Sequence, residues 1–194
     1  MGKRYINFSA EELRKIGKFG HELNLIKSEN LQTFVSIMLA GTGDWFFKDP
    51  ASTSGKHHPQ FALGEGGLVR HTKAVVYWLH ELIQAEVINQ TTTLGQDQID
   101  ALTAAAILHD IRKHTADGKY VENHARAAYE AVLECYQTNQ DLIERPVAQY
   151  IADCILTHMG KWGKEQGNRT PCLVGEKLIH LADYCASRKE PSFE

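Results

Sequence analysis

Apolar positions recur at helical spacing along most of this chain, and strand-like alternation is scarce. Ser9-Ala-Glu-Glu12 has the form of a capping box and predicts a helix through about Leu23. Leu31, Phe34, Val35 and Met38 share one face of a second helix, from about Glu29 to Ala40, which closes near Gly41 and Gly43. Such a stripe covers a core or mediates a dimer, and covering a core is the commoner use. The stretch 48–67, with Pro50, Gly55, Pro59 and the pair Gly66-Gly67, predicts a long loop, and loops of that length in compact domains are often functional. A helix follows over about 68–88, ended by the polar run NQTTTLGQ. Asp97 is a candidate cap for the next helix, about 98–112, whose segment ALTAAAIL is apolar on every face and predicts a central, buried helix. Further helices fit about 121–138, about 146–159 with Pro146 in its first turn, and about 173–188. Residues 160–171, rich in Gly and Lys, predict a loop. The expected architecture is all-α and single-domain, with roughly six or seven helices.

Composition narrows the classes. A chain of 194 residues suits one domain and can bury a substantial core. The net charge of −3 includes no strongly basic footprint, which argues weakly against a long nucleic acid and does not exclude a short one. Cysteines 135, 154, 172 and 185 form no CxxC pair, and three fall within predicted helices. Small buried thiols in a reduced intracellular protein are the simple reading. The start MGKRYINFSAEEL has no apolar signal core, and Ile6 stands where a myristoylation motif needs Ser or Thr. No apolar run approaches the ~20 residues that span a bilayer. The expectation is a cytoplasmic protein without a membrane partner.

The informative departures are polar residues on apolar stripes. Residues 107–110 read Ile-Leu-His-Asp, and an ionised carboxylate at the end of a buried helix is costly unless a strong partner compensates it. His71 lines up with Val75, Trp78 and Leu82; His124 with Ala127, Ala128, Ala131 and Cys135; His158 with Ile151, Cys154 and Ile155. Asp183 lies mid-helix beside Ala182 and Cys185. A lone histidine in such a place is more often a hydrogen-bonded core residue or a cap than a ligand. Asp183 alone could pair with Arg188 or Lys177. The His109–Asp110 doublet is harder to explain, because adjacent residues do not share a face and burying both needs something that reaches both. Imidazole and carboxylate are ligands for Mn, Fe, Zn and Ni and, for the carboxylates, Mg.

The order His71, His109-Asp110, His124, His158, Asp183 resembles the HD-domain superfamily of metal-dependent phosphohydrolases. The strings that carry it are GGLVRHT at 66–72, AAILHDIRK at 105–113, THMGKW at 157–162 and HLADYCASRK at 180–189, with FFKDPASTSGKHHPQ at 46–60 similar to small bacterial and phage members. The resemblance implies an HD domain over 45–194 and an N-terminal helical extension over 1–44 packed on it. It implies a first metal at His71, His109, Asp110 and Asp183, and a second at His124 and His158 with Asp110 bridging. Two divalent cations per chain, drawn from Mn, Fe, Co, Ni, Zn or Mg, are therefore expected. Many members carry glycine where this chain has Arg112.

The resemblance further implies hydrolysis of a phosphoester or phosphoanhydride in a small phosphorylated substrate, a nucleotide by preference, with a metal-bound hydroxide as nucleophile. Asp110 and Lys113 are the candidate catalytic residues, Lys113 steadying transition-state charge. His57, His58, Arg112, Lys161 and Trp162 are candidate substrate contacts. Arg112 is more simply read as pointing to solvent, His57 and His58 are equally readable as surface residues, and Trp162 is more often plain packing than a stacking platform for a base. Two alternatives accompany this reading: a di-iron oxygenase using the same ligands, and a non-catalytic nucleotide-binding module.

Overall fold

The computed structural model describes residues 6–52, 58–85, 93–115 and 117–189, and the described chain is all-α. Ten helices are present among the described residues: α1 (Ala10–Gly17), α2 (Gly20–Leu23), α3 (Glu29–Ala40), α4 (Trp45–Lys48), α5 (Gly67–Gln84), α6 (Gln96–Leu108), α7 (His124–Thr138), α8 (Arg145–Thr157), α9 (Lys161–Glu165) and α10 (Val174–Ala186), with a 3-10 turn at Gln60–Ala62. The count exceeds six or seven because α2, α4 and α9 have four or five residues each, too few to show a hydrophobic period. No described helix is long and apolar enough to cross a membrane.

The expected helix from Ser9 to Leu23 starts with the predicted capping box but breaks into α1 and α2 at Phe19. The Phe19 ring is fully buried and stacks on Phe46 at 5.9 Å. Ser28 caps α3, Asn123 caps α7 and Pro146 lies in the first turn of α8. Asp97 is not the cap of α6. That helix begins at Gln96 behind Gly95, and the Gln98 side chain accepts the Gly95 N–H at 3.0 Å. Asp97 lies in the first turn, where its charge suits the positive end of the helix. The expected continuation of α5 to Ile88 lies outside the described residues.

The apolar segment of α6 is central, as its pattern predicts. Every residue from Asp100 to Leu108 is buried, and α6 touches α2, α3, α5, α8 and α10. Its alanines at 104–106 allow close approach on all sides. Around it α5 packs along α10, α7 along α8, and α1 on α3. Leu31, Phe34, Val35 and Met38 are all buried in the core shared with residues beyond 44, so this stripe covers the core.

One polar residue of α6 ties these layers together. The buried Asp100 carboxylate accepts the backbone N–H groups of Lys27 and Ser28 at 2.9 and 2.8 Å and the Gln96 side-chain amide at 2.7 Å. Ser28 then caps α3 by accepting the Leu31 N–H. Asp100→Ala strands two backbone donors, and we expect a loss of about 2–4 kcal/mol of stability. Urea unfolding of the variant against wild type measures it; a change below about 0.5 kcal/mol would refute the anchor.

Candidate metal centre

Successive helical residues point about 100° apart, so His109 and Asp110 at the end of α6 face different neighbours. His109 turns towards the α5–α10 pair and meets His71 of α5 and Asp183 of α10. Asp110 turns towards the α7–α8 pair and meets His124 at the start of α7 and His158 at the end of α8. Within each set of three, a ligand-type atom of every residue lies within 4.8 Å of the others. His71 Nε2 is 3.1 Å from Asp183 Oδ1, and His109 Nε2 is 4.0 Å from the same oxygen. Asp110 Oδ1 is 3.1 Å from His124 Nε2 and 3.8 Å from His158 Nε2, while Oδ2 is 3.5 Å from His109 Nε2. Asp110 thus stands between the two sets. Asp183 pairs with His71 rather than with Lys177 or Arg188.

Local structure holds these groups in place. His109 and His158 have Nδ1 at 2.8 and 2.7 Å from the carbonyls of Ala106 and Ile155. A carbonyl only accepts, so each Nδ1 carries the proton, and a neutral ring then has its lone pair on Nε2. That orientation, with the second nitrogen held by the backbone, is the one metal-binding histidines adopt. The start of α5 is fitted against the 3-10 turn, since a Cβ at Gly67 would overlap the Ala62 carbonyl. Arg70 donates to the carbonyls of Phe61, Leu63 and Glu65 and fixes the loop beside His71. Buried Glu176, bound by Arg169 and the backbone of Cys172 and Leu173, anchors the start of α10 two turns before Asp183.

The donor set fits divalent cations. Asp110 is buried, and although burial opposes ionisation, Lys113 above all holds its carboxyl well below the usual range. Burial opposes ionisation of Asp183 also, and the hydrogen bond with His71 outweighs it. His109 Nε2 and Asp110 Oδ1 are buried without a hydrogen-bond partner. An unprotonated ring nitrogen facing two carboxylates is repulsive unless a cation lies between them. The protein supplies one compensating charge of its own, Lys113, whose Nζ is 2.8 Å from Asp110 Oδ2.

A cleft of about 630 Å³ opens beside the centre, lined by His58, Lys113 and His124 and, further out, Asp49, Ser52, His114 and Tyr120. His58 stands with its ring 5.3 Å from His71. The other candidates are elsewhere. Arg112 does not line the cleft and lies near the Cys135 thiol, three turns along α7 from His124. Lys161 and Trp162 line a separate pocket, and His57 lies outside the described residues. Two further histidines outside the expected set lie nearby: His114, 3.1 Å from Asp49, and His180, whose Nδ1 donates to the His158 carbonyl at 2.6 Å. His180, three residues before Asp183, carried a spacing signal; Tyr120, on a polar loop, carried none.

Burial keeps several rings neutral. It pushes His158 down to about 3 and His58 to about 4, and lowers His109, against an ordinary value of 6.5. These rings gain protons on unfolding below that value while Asp110 and Asp183 remain ionised in the fold. Metal-free protein is therefore expected to lose stability as pH falls from 7 to 5.5. Urea midpoints at the two pH values test this, with nitrogen-detected NMR of His158, which should keep its Nδ1-protonated form throughout. A titration of His158 within that window would contradict it.

No protein-family model, curated protein or solved structure matches this chain, so its functional reading rests on the residues and geometry above.

Proposed function

We propose that this chain is a metal-dependent phosphohydrolase of the HD-domain kind, cleaving a phosphoester or phosphoanhydride in a small phosphorylated substrate, a nucleotide by preference. The observation that carries the reading is the junction at His109–Asp110: two buried three-residue ligand sets meet through adjacent residues, with Asp110 shared between them. Divalent cations held there would neutralise phosphoryl charge and lower the pKa of a water. His71, His109 and Asp183 would hold one, His124 and His158 the other, and Asp110 would bridge.

The chain's own groups supply the rest. Lys113 Nζ lies at the cleft edge beside Asp110, where an ammonium offsets charge developing on a phosphoryl oxygen. His58, on the same wall, is held neutral by burial and can donate one hydrogen bond to a substrate oxygen. The cationic Lys113 favours an anionic substrate such as a phosphorylated compound.

Elemental mass spectrometry of protein purified without chelator and with oxygen excluded tests the centre. We expect about two equivalents of Mn, Fe, Co, Ni or Zn, largely lost in Asp110→Ala; no metal after reconstitution would overturn the reading. Protein reconstituted with Mn or Mg should release product from a nucleotide and phosphoester panel. Iron alone, with oxygen uptake and no hydrolysis, would establish the oxygenase instead, and turnover of RNA only would overturn the small-substrate assignment. Lys113→Ala should keep its metal and lose kcat by about 10²–10³-fold, the scale of one transition-state charge contact. Unchanged kcat would remove Lys113 from the mechanism.

A further inference from the structure

A second pocket, of about 290 Å³, lies between α9 and the end of α10 and is lined by Lys161, Trp162, His180, Tyr184 and Arg188. Its lining contains no carboxylate and no aliphatic residue. Trp162 and Tyr184 are each 40 % exposed. Lys161 Nζ lies 4.9 Å from the Trp162 ring centroid, and the Arg188 guanidinium 4.1 Å from that of Tyr184. Among the described residues neither cation has a carboxylate within ion-pair distance.

The pocket is built rather than incidental. Gly160 adopts φ 57°, a conformation that favours glycine, and a Cβ there would overlap the His180 ring. The bare backbone lets His180 close against it and donate to the His158 carbonyl, so the pocket wall is fixed to the α8–α9 corner.

We propose that this pocket is a separate binding site for a nucleoside monophosphate group, an aromatic base carrying a phosphate. Trp162, with Lys161 at 4.9 Å and Arg188 at 6.0 Å from its centroid, leaves exposed ring surface on which a base can stack, a contact indifferent to base identity. Arg188 spends its face on Tyr184 and leaves the donor edge of its guanidinium free, the geometry that grips phosphate bidentately. Lys161 adds a second positive charge. An inorganic anion alone would leave the rings unused, and an uncharged aromatic would leave both cations unmatched. The residues differ from those lining the His58–Lys113 cleft, and the site needs no metal.

Calorimetric titration of the full chain, stripped with chelator, tests this without reference to hydrolysis. Adenosine monophosphate should bind, and adenosine or inorganic phosphate alone should bind at least about tenfold more weakly. Trp162→Ala and Arg188→Ala should each weaken the monophosphate about tenfold, the effect of one stacked base or one charge-assisted contact. Trp162→Phe should restore most of the affinity, and Arg188→Lys less, because the ammonium lacks the fork. Circular dichroism would confirm that each variant is folded. No binding at millimolar monophosphate overturns the proposal. So does wild-type affinity in the Trp162 and Arg188 variants with loss in Lys113→Ala, which would put the nucleotide in the other cleft. Binding of an oligonucleotide but not the monophosphate also overturns it, in favour of a single-stranded nucleic-acid surface.

Discussion

The rest of this structure is arranged around the desolvation of one carboxylate. Asp110 ends a helix buried on every side, and an uncompensated charge there would cost about 3–5 kcal/mol, a large share of a typical domain's margin of stability. The fold answers with Lys113 on one oxygen, and it brings ring nitrogens from three different elements around the carboxylate. Without Lys113 an ionised group would be left in an apolar interior. The start of α7 and the end of α8 meet the end of α6 at this carboxylate, through His124 and His158.

The two helix pairs give this arrangement its logic. α5 with α10 and α7 with α8 flank α6, and each pair contributes two side chains to one of two adjacent residues. A helix presents consecutive side chains to different neighbours, so a doublet at its end can serve both pairs without distorting the backbone. The carbonyls of Ala106 and Ile155 then orient His109 and His158, so the preceding turn of each helix fixes its own ring.

Much of this was legible in the sequence, for a physical reason. His71, His109, Asp110, His124, His158 and Asp183 all interrupt apolar stripes, and a polar interruption of a stripe is visible at helical spacing. Long helices were visible on the same ground, down to the capping box at Ser9 and the all-apolar face of α6. The one-turn helices α2, α4 and α9 were not, because a single turn has no period. The break at Phe19 depends on the distant ring of Phe46, which no local pattern reports. Asp97 is no cap because the helix already begins at Gln96 behind Gly95, which puts Asp97 inside the first turn. Surface chemistry was the least legible: Arg112, Lys161 and Trp162 were grouped by nearness in sequence to ligand residues, yet lie away from the cleft, while Asp49 and Tyr120 reach its wall from polar loops.

The wide spacing of the candidate ligand residues along the chain has a consequence for biosynthesis. Domains of this size are made from the N-terminus at about 5–20 residues per second. The set of Asp110, His124 and His158 can assemble once α8 has emerged, while the set containing His71 and His109 waits for Asp183 in α10. During that interval α5 lacks its principal packing partner. The ordering of one half of the centre thus reports completion of the fold, and a nascent chain stopped before α10 carries only the other half.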